Sequence, residues 1–279
     1  MKNRSTLAEE FMENGCLSSV PIIDTHTHMG GFYGSSLPRQ ELREMLGTME
    51  QKNVEFIISA PNSALFDPIA GNQEIEEAMK SHPDKIRGYF VFNPNYPATL
   101  DQIERAFQEN KGYVGFKILP DYHKTRLDSE GYELLLQYAD DHGLLVLSHT
   151  WGTAMDGRSY SSIDAIRNVT ERYRNLKFLM GHSAQGECDE AIKLAASQEN
   201  VYLELTDTYR LNGMIEKMCS HAGSEKVLFG TDLPWYNPAY CLGCILFAHI
   251  SDEEKKNIIR NNIVRLLTKT DRNKKGGRK

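Results

Sequence analysis

The feature that most constrains this chain is a regular alternation of short apolar segments with longer amphipathic ones. Each apolar segment is rich in β-branched or aromatic residues, which is typical of buried strands, and each is followed by a turn and a stretch with helical spacing. Eight such segments recur at similar intervals: Pro21–Asp24, Val54–Ala60, Ile86–Phe92, Tyr113–Leu119, Leu144–Ser148, Lys177–Gly181, Val201–Thr206 and Lys226–Thr231.

Strict alternation of strand and helix predicts parallel strands joined by helical crossovers. Eight units in about 250 residues favour a (β/α)8 TIM barrel over an open doubly wound sheet. The sequence also lacks the glycine-rich phosphate loop that follows the first strand of many open sheets. We therefore predict one α/β domain over residues 1–279, with an extra N-terminal helix (Thr6–Glu13), an extra C-terminal helix (Asp252–Leu267) and a disordered tail at 271–279.

Charge and composition exclude several classes of protein. The 279 residues carry 32 basic and 38 acidic side chains, a net charge of -6, which gives no attraction to nucleic acid or to an anionic membrane surface. No apolar run reaches the length of a membrane span, and the first fifteen residues lack the apolar core of an export signal. Five scattered cysteines suit a reducing compartment. We expect a cytoplasmic protein whose partner is a small molecule, with a homodimer possible.

Residues that can bind a metal ion gather where the predicted strands end. His26 and His28 follow the first strand, and residues two apart in a strand point to the same side. The fifth, sixth and eighth strands end at His149, His182 and Asp232. Because the carboxyl ends of all barrel strands meet on one face, these five side chains are expected to converge there.

Imidazole and carboxylate ligands without thiolate suit Zn²⁺, Mn²⁺, Fe²⁺ or Ni²⁺. Three or four protein ligands leave a position for water, whose pKa a bound ion lowers toward neutrality. Asp232 can then contact the ion and accept the proton of that water. His182 is expected just beyond the ligands, where it stabilises the water or a developing oxyanion.

Lys117 lies on the inward face of the fourth strand, because Val114, Phe116 and Ile118 alternate with it. A buried lysine needs a partner, and several roles remain open: carboxylation and metal bridging, binding of a substrate carboxylate, a Schiff base, or an ion pair. Glu204 is expected to point inward from the seventh strand and is the candidate for that ion pair.

Other conspicuous residues have simpler explanations. His82, His142 and His221 each lie at a predicted helix C-terminus, where a protonated imidazole complements the helix dipole. His123 is expected to be solvated in the loop after the fourth strand. Aromatic residues follow the metal-bearing strand ends and could line a substrate pocket or merely cover the rim of the barrel: Trp151, Trp235, Tyr236, Phe32 and Tyr33.

Five segments together resemble the amidohydrolase superfamily, and in particular its amidohydrolase-related branch of TIM-barrel hydrolases and decarboxylases. They are Ile22–His28, Gly115–Lys117, Ser148–His149, Gly181–Ser183 and Phe229–Pro234, followed by a similar closing segment at Asn257–Leu267. The resemblance implies one divalent ion, usually Zn²⁺, bound by His26, His28, His149 and Asp232. It also implies that His182 assists catalysis and that Lys117 stays outside the ligand set.

The leading hypothesis is a metal-dependent hydrolase in which metal-activated water attacks the carbonyl of an ester, lactone or amide. The alternative is a metal-dependent non-oxidative decarboxylase of an unsaturated or aromatic acid on the same site. A decarboxylase needs a cation for the substrate carboxylate, and Arg158 and Arg210 are candidates in loops after the fifth and seventh strands. Lys117, Trp151 and Trp235 are the predicted substrate contacts. A Schiff-base lyase using Lys117 and a non-catalytic binding barrel are further, weaker alternatives.

Overall fold

Eight parallel strands form a single sheet in which each strand pairs with the next along the chain, from β1 to β8. A computed structural model describes residues 5–32, 34, 36–152 and 156–268. The strands are β1 (Ile22–Thr27), β2 (Val54–Ser59), β3 (Ile86–Val91), β4 (Tyr113–Ile118), β5 (Leu145–Trp151), β6 (Lys177–Gln185), β7 (Val201–Glu204) and β8 (Val227–Leu228).

Helices alternate with these strands, which confirms the predicted (β/α)8 TIM barrel. They are α1 (Thr6–Asn14), α2 (Leu42–Lys52), α3 (Pro68–Ser81), α4 (Leu100–Glu109), α5 (Pro120–His123), α6 (Glu133–His142), α7 (Ile163–Arg172), α8 (Cys188–Ser197), α9 (Met214–Ala222), α10 (Pro238–Leu246) and α11 (Asp252–Lys256). Beyond α11 the chain forms a π-helical turn (Asn257–Asn261) and then helix at 262–268.

The barrel closes where the end of β1 meets the segment after β8. The backbone N–H of Thr25 donates to Phe229, and the N–H of Asp232 donates to His26 over 2.7 Å. The side chain of Asp24 accepts the Oγ1 hydrogen of Thr231 at 2.5 Å and so reinforces this junction. This junction thereby holds two candidate metal ligands together, His26 at the end of β1 and Asp232 in the segment after β8.

The apolar core has two parts, as the alternation of side chains across barrel strands requires. The larger part lies between the strands and the surrounding helices, where Phe116 and Phe178 pack. The smaller part contains inward residues of the strands, among them Ile23, Leu147 and Leu179. This second cluster fills the barrel below the polar residues at the carboxyl ends of the strands.

The terminal helices lie where they were expected. Asp252 at the start of α11 accepts hydrogen bonds from Ser5 and Thr6, which ties the start of α1 to the end of the chain. The side chain of Asn262 donates to the carbonyl of Val227 in β8 at 2.7 Å. The predicted disordered tail at 271–279 lies outside the described residues. No helix in the described part of the chain is long and apolar enough to span a membrane.

Several elements differ from the sequence predictions in their bounds. Strand β1 continues through His26 to Thr27, and β8 is only two residues long because a 3₁₀ turn (Ser224–Lys226) precedes it. Helix α10, at Pro238–Leu246, is the helix of the eighth strand–helix unit, to which the sequence alone gave no bounds because its uniformly apolar sequence shows no helical stripe. The segment containing Cys241 and Cys244 is therefore a packed helix, and all five cysteines are free.

Candidate metal centre

Three of the predicted metal ligands meet at the carboxyl end of the barrel. One ligand atom from each of His26, His28 and Asp232 lies within 4.8 Å of the others. Oδ1 of Asp232 is 3.0 Å from Nε2 of His28 and 3.3 Å from Nε2 of His26. That oxygen is buried, yet it forms no well-aligned hydrogen bond with any described residue. The three ligand atoms therefore point toward one position and form no well-aligned hydrogen bonds with one another. This is the arrangement that a metal ion needs.

The other ring nitrogen of each histidine is held by an acceptor. Nδ1 of His26 is 2.8 Å from Glu204, and Nδ1 of His28 is 2.7 Å from the carbonyl oxygen of Ala60. Nδ1 of His149 is 3.1 Å from the carboxylate of Asp121. An acceptor at Nδ1 places the proton there and leaves the lone pair on Nε2, which is the usual support for a metal-binding histidine.

His149 lies in the same cavity but outside the tight group of three. Its ring centroid is 4.9 Å from that of His182 and 5.9 Å from that of Trp151, on which it stacks. The ring of His182 lies 5.3 Å from the ring of His26. The structure therefore brings all five predicted residues to one face of the barrel, with His149 and His182 on one side of the His26–His28–Asp232 group.

Glu204 is fully buried and accepts hydrogen bonds on both oxygens. Oε2 accepts from Nδ1 of His26 and from the backbone N–H of His182. Oε1 accepts from the N–H and the hydroxyl of Thr206. Burial nevertheless raises the pKa of this carboxyl above its usual value. Glu204 therefore connects the predicted metal ligand on β1 with the predicted catalytic histidine on β6.

The backbone at the end of β6, which carries His182, has a strained conformation. His182, Ser183 and Ala184 have φ values of 63°, 49° and 51°, in the left-handed region that side chains with a Cβ rarely adopt. Hydrogen bonds hold this segment: Ser183 donates to the carbonyl of Glu204, and Thr208 donates to the carbonyl of His182 at 2.6 Å. Strain that is held in this way is common at functional sites.

Burial sets the charge state of the site. It lowers the pKa of His26, His149 and His182, so these imidazoles are neutral at pH 7 and keep a lone pair for a ligand. Burial opposes ionisation of Asp232 as well, but the adjacent His26 and His28 hold the pKa of its carboxyl well below the usual value. Neutral imidazoles with one ionised carboxylate form a donor set suited to a divalent cation.

Lys117 is only 1% exposed, and its inward orientation agrees with the alternation along β4. Its Nζ lies 2.8 Å from Nε2 of His26, and this is its one hydrogen bond to the described residues. Burial lowers the pKa of its ammonium to about 8. Of the roles left open for Lys117, the ion pair with Glu204 is not formed, because the two side chains contact opposite nitrogens of the same imidazole.

A cavity of about 860 Å³ opens above the cluster and is lined by His28, Lys117, His149, His182 and Asp232. Its walls are rich in aromatic side chains: Phe32, Tyr122, Trp151, Trp235 and Tyr236. Two of these side chains, Phe32 and Trp235, pack edge to face with their ring centroids 4.9 Å apart. The predicted contacts Lys117, Trp151 and Trp235 all line this cavity, whereas Tyr33 lies outside the described residues.

Other sequence interpretations need correction. Neither Arg158 nor Arg210 is among the described residues that line the cavity, and Arg210 is paired with Asp207 at 2.8 Å.

His123 is 4% exposed and bonded to Tyr132, and is therefore not the solvated loop residue that was expected. Asp121, which holds His149, was missed because it lies on the short helix α5 within what reads as a loop.

The donor set fits a divalent metal ion. Each of His26 and His28 presents a lone pair on Nε2, and the buried Oδ1 of Asp232 supplies the anionic oxygen that balances the charge of the ion. His149 presents its Nε2 to the same cavity because Asp121 holds its other nitrogen. Fold and site together are those of a (β/α)8 barrel in which three converging side chains could hold a divalent ion.

The amidohydrolase family model matches residues 23–269, nearly the whole barrel, so the chain belongs to the amidohydrolase family. This confirms the resemblance seen in the sequence. No curated protein sequence matches the chain.

Solved structures confirm the barrel fold at low sequence identity. An uncharacterized TIM-barrel protein from Bordetella bronchiseptica is 19% identical, with a TM-score of 0.73, covering 90% of this chain and 100% of that one. A 5-carboxyvanillate decarboxylase from Sphingomonas paucimobilis is 14% identical, with a TM-score of 0.72 over 90% and 99% of the two chains. A dihydroxybenzoic acid decarboxylase from Polaromonas sp. JS666, with bound manganese and the inhibitor 2-nitroresorcinol, is 15% identical, with a TM-score of 0.72 over 89% and 97%.

Proposed function

We propose that this protein is a metal-dependent non-oxidative decarboxylase of an aromatic or unsaturated organic acid. The observation that carries the proposal is the position of the His26–His28–Asp232 group at the floor of a cavity with aromatic walls. Several barrels of similar fold are decarboxylases of hydroxylated aromatic acids. These similarities favour the decarboxylase over the hydrolase, which the sequence alone had placed first.

His26, His28, His149 and Asp232 are the proposed ligands of one divalent ion. A bound divalent ion acts as a Lewis acid that orients and polarises the oxygen atoms of an acid. Mn²⁺ is a candidate beside the expected Zn²⁺, since two similar barrels are decarboxylases solved with bound manganese. The nitrogen and oxygen donors of this site accept either ion.

The side chains of this site divide the remaining tasks of the reaction. Decarboxylation breaks the bond between the carboxyl group and its carbon, releases CO2, and places a proton on that carbon. Among the titratable groups that line the cavity, we assign the movement of this proton to Asp232 and His182. Trp151 and Trp235 line the cavity and offer large apolar faces against which the flat ring of an aromatic acid can pack.

The direct test is product analysis. Protein stripped with chelator is reloaded with Mn²⁺ or Zn²⁺ and incubated with 5-carboxyvanillate, with dihydroxybenzoates and with their methyl esters. We expect CO2 release from an acid, matched by the decarboxylated phenol, and a loss of this activity in Asp232→Asn and His182→Asn. The exposed His221 provides a matched control, and His221→Asn should retain activity. Ester cleavage without CO2 release would contradict the proposal and support the hydrolase.

A further inference from the structure

The ammonium group of Lys117 lies at the floor of the cavity with one protein partner. The side chain is buried, and its Nζ is 2.8 Å from Nε2 of His26. An ammonium group can donate three hydrogen bonds, so two of its donors have no acceptor among the described residues. Lys117 also lines the cavity together with His28 and Asp232, which places it against any molecule bound there.

Its one partner cannot be shared with a metal ion. Nδ1 of His26 is bonded to Glu204, so Nε2 carries the single lone pair of this neutral imidazole. That lone pair accepts a hydrogen from Lys117 or binds a metal ion, but it cannot do both. Once His26 is a metal ligand, the ammonium group of Lys117 loses its acceptor while it remains buried.

The nearby carboxylates do not replace that acceptor. Both oxygens of Glu204 already accept hydrogen bonds, from His26 and His182 on one side and from Thr206 on the other. Oδ1 of Asp232 is directed at the two histidines of the metal group. Asp232 and Glu204 attract this ammonium electrostatically, but neither accepts a hydrogen bond from it. Buried donors without acceptors are costly, so an anionic group in the cavity would stabilise the ammonium strongly.

No other described cation is as well placed. Lys124 lines the same cavity, but it is exposed, and the acidic side chain of Asp156 is also part of the lining. Arg158 and Arg210 are not among the described lining residues. Lys117 is therefore the cation that the fold positions directly beside the metal group.

We propose that Lys117 binds a carboxylate of the substrate, which makes the natural substrate an organic acid and excludes a neutral ester, lactone or amide. The ammonium donates to the carboxylate oxygens while the aromatic walls hold the rest of the molecule. The inference rests on the proposed function, because metal binding at His26 is what releases Lys117 from its imidazole partner.

Binding of a matched pair of probes tests this role without turnover. Benzoate and benzamide have the same shape but differ in charge, and calorimetric titration of the Mn²⁺-loaded protein measures both affinities. We expect the wild type to prefer benzoate by about tenfold or more, as a charge-assisted hydrogen bond provides. In Lys117→Met this preference should fall by about tenfold, to what the metal ion alone provides, while the variant keeps its bound metal. Lys117→Arg, which retains the charge, should keep part of it.

Lys124→Met is the matched control, since it removes an exposed lysine from the mouth of the same cavity and should keep the preference. If Lys117→Met does not fold, Lys117→Gln provides the same loss of charge with a polar side chain. The proposal would be overturned if the wild type showed no preference for the anion, or if a folded neutral variant kept the full preference of the wild type. Loss of the metal from both neutral variants would also overturn the proposal, because Lys117 would then be needed for metal binding and not for binding the substrate carboxylate. Absence of CO2 release with the preference intact would refute the decarboxylase and leave the role of Lys117 standing.

Discussion

Glu204 on β7 and His26 on β1, the strands on either side of β8, form a hydrogen bond of 2.8 Å between the carboxylate of one and Nδ1 of the other. The bond fixes the proton on Nδ1 and turns Nε2 toward the cavity. Carboxylate support of this kind raises the basicity of a metal-binding imidazole and fixes its orientation. A residue far from the ligands in sequence therefore determines how one of them binds.

The first prediction concerns the metal content of the purified protein. We expect about one divalent ion per chain in protein prepared without chelator, since the three ligand atoms form one group. His26→Ala and Asp232→Ala should each lose most of this metal, measured by elemental analysis, because each removes one of three converging donors. His221→Ala removes an exposed histidine at the end of α9 and should retain the ion. Full occupancy in both site variants would exclude this metal centre.

The second prediction concerns the support of His26. Glu204→Gln preserves size but places an amide N–H2 group against the hydrogen-bond donors that now surround the carboxylate. We expect metal affinity to fall by roughly 10- to 100-fold, the usual effect of removing such a partner, in a competition titration with a chelating dye. Glu190→Gln, at an exposed ion pair with Lys193, is the matched control and should not change the affinity. Equal affinities in the two variants would show that Glu204 does not support the ligand.

The third prediction concerns the lack of space for a side chain at Gly230, which lies against Glu204 and His26. A Cβ at Gly230 would overlap the Glu204 carboxylate and lie 2.7 Å from Cβ of His26. Gly230→Ala should therefore displace both side chains, cost about 1–3 kcal/mol in stability and weaken metal binding. A Cβ at Gly47 on α2 would meet no atom of the described residues within 4 Å, so Gly47→Ala should instead stabilise the protein by about 0.5–1 kcal/mol. Chemical denaturation of both variants, with and without metal, distinguishes these effects.

The fourth prediction concerns acid stability. Burial lowers the pKa of His123 to about 4, well below its value in an unfolded chain. The unfolded state therefore binds a proton first as the pH falls, and stability present above about pH 6.5 is lost progressively down to about pH 4. His123→Gln should remove about 2–3 kcal/mol of this pH dependence in urea titrations of the metal-free protein at pH 7 and pH 4.

His221→Gln serves as the control for that experiment, because His221 is exposed at the end of α9. It should leave the difference in unfolding free energy between the two pH values unchanged. A wild type and a His123→Gln variant with the same pH dependence would show that His123 is protonated in the folded protein as readily as in the unfolded one.

The barrel was predictable because burial on both faces of a parallel strand makes each strand a continuous apolar run, and eight such runs alternate with helical stretches. The predicted positions of His26, His28 and Asp232 followed from the same order, since all strands end on one face. The inward positions of Lys117 and Glu204 followed from the alternation of side chains along β4 and β7.

Contacts between distant loops were not predictable in this way. Asp121 holds His149, but it is one acidic residue among many in a segment without strand or helix pattern. The partner of Lys117 was left open among several possibilities, because periodicity gives the direction of a side chain and not its depth along the barrel axis. His123 looked like a solvated loop residue because its burial depends on the packing of Tyr132, nine positions away.

The closure between β1 and the segment after β8 has a consequence for how the site comes into being. Asp24 and Thr231, which fasten that closure, are 207 positions apart in the sequence. His26 and Asp232 therefore become neighbours only when the last strand has joined the first. During synthesis, the metal group therefore cannot form until the eighth strand is available. Binding of the metal ion would then indicate that the barrel has closed.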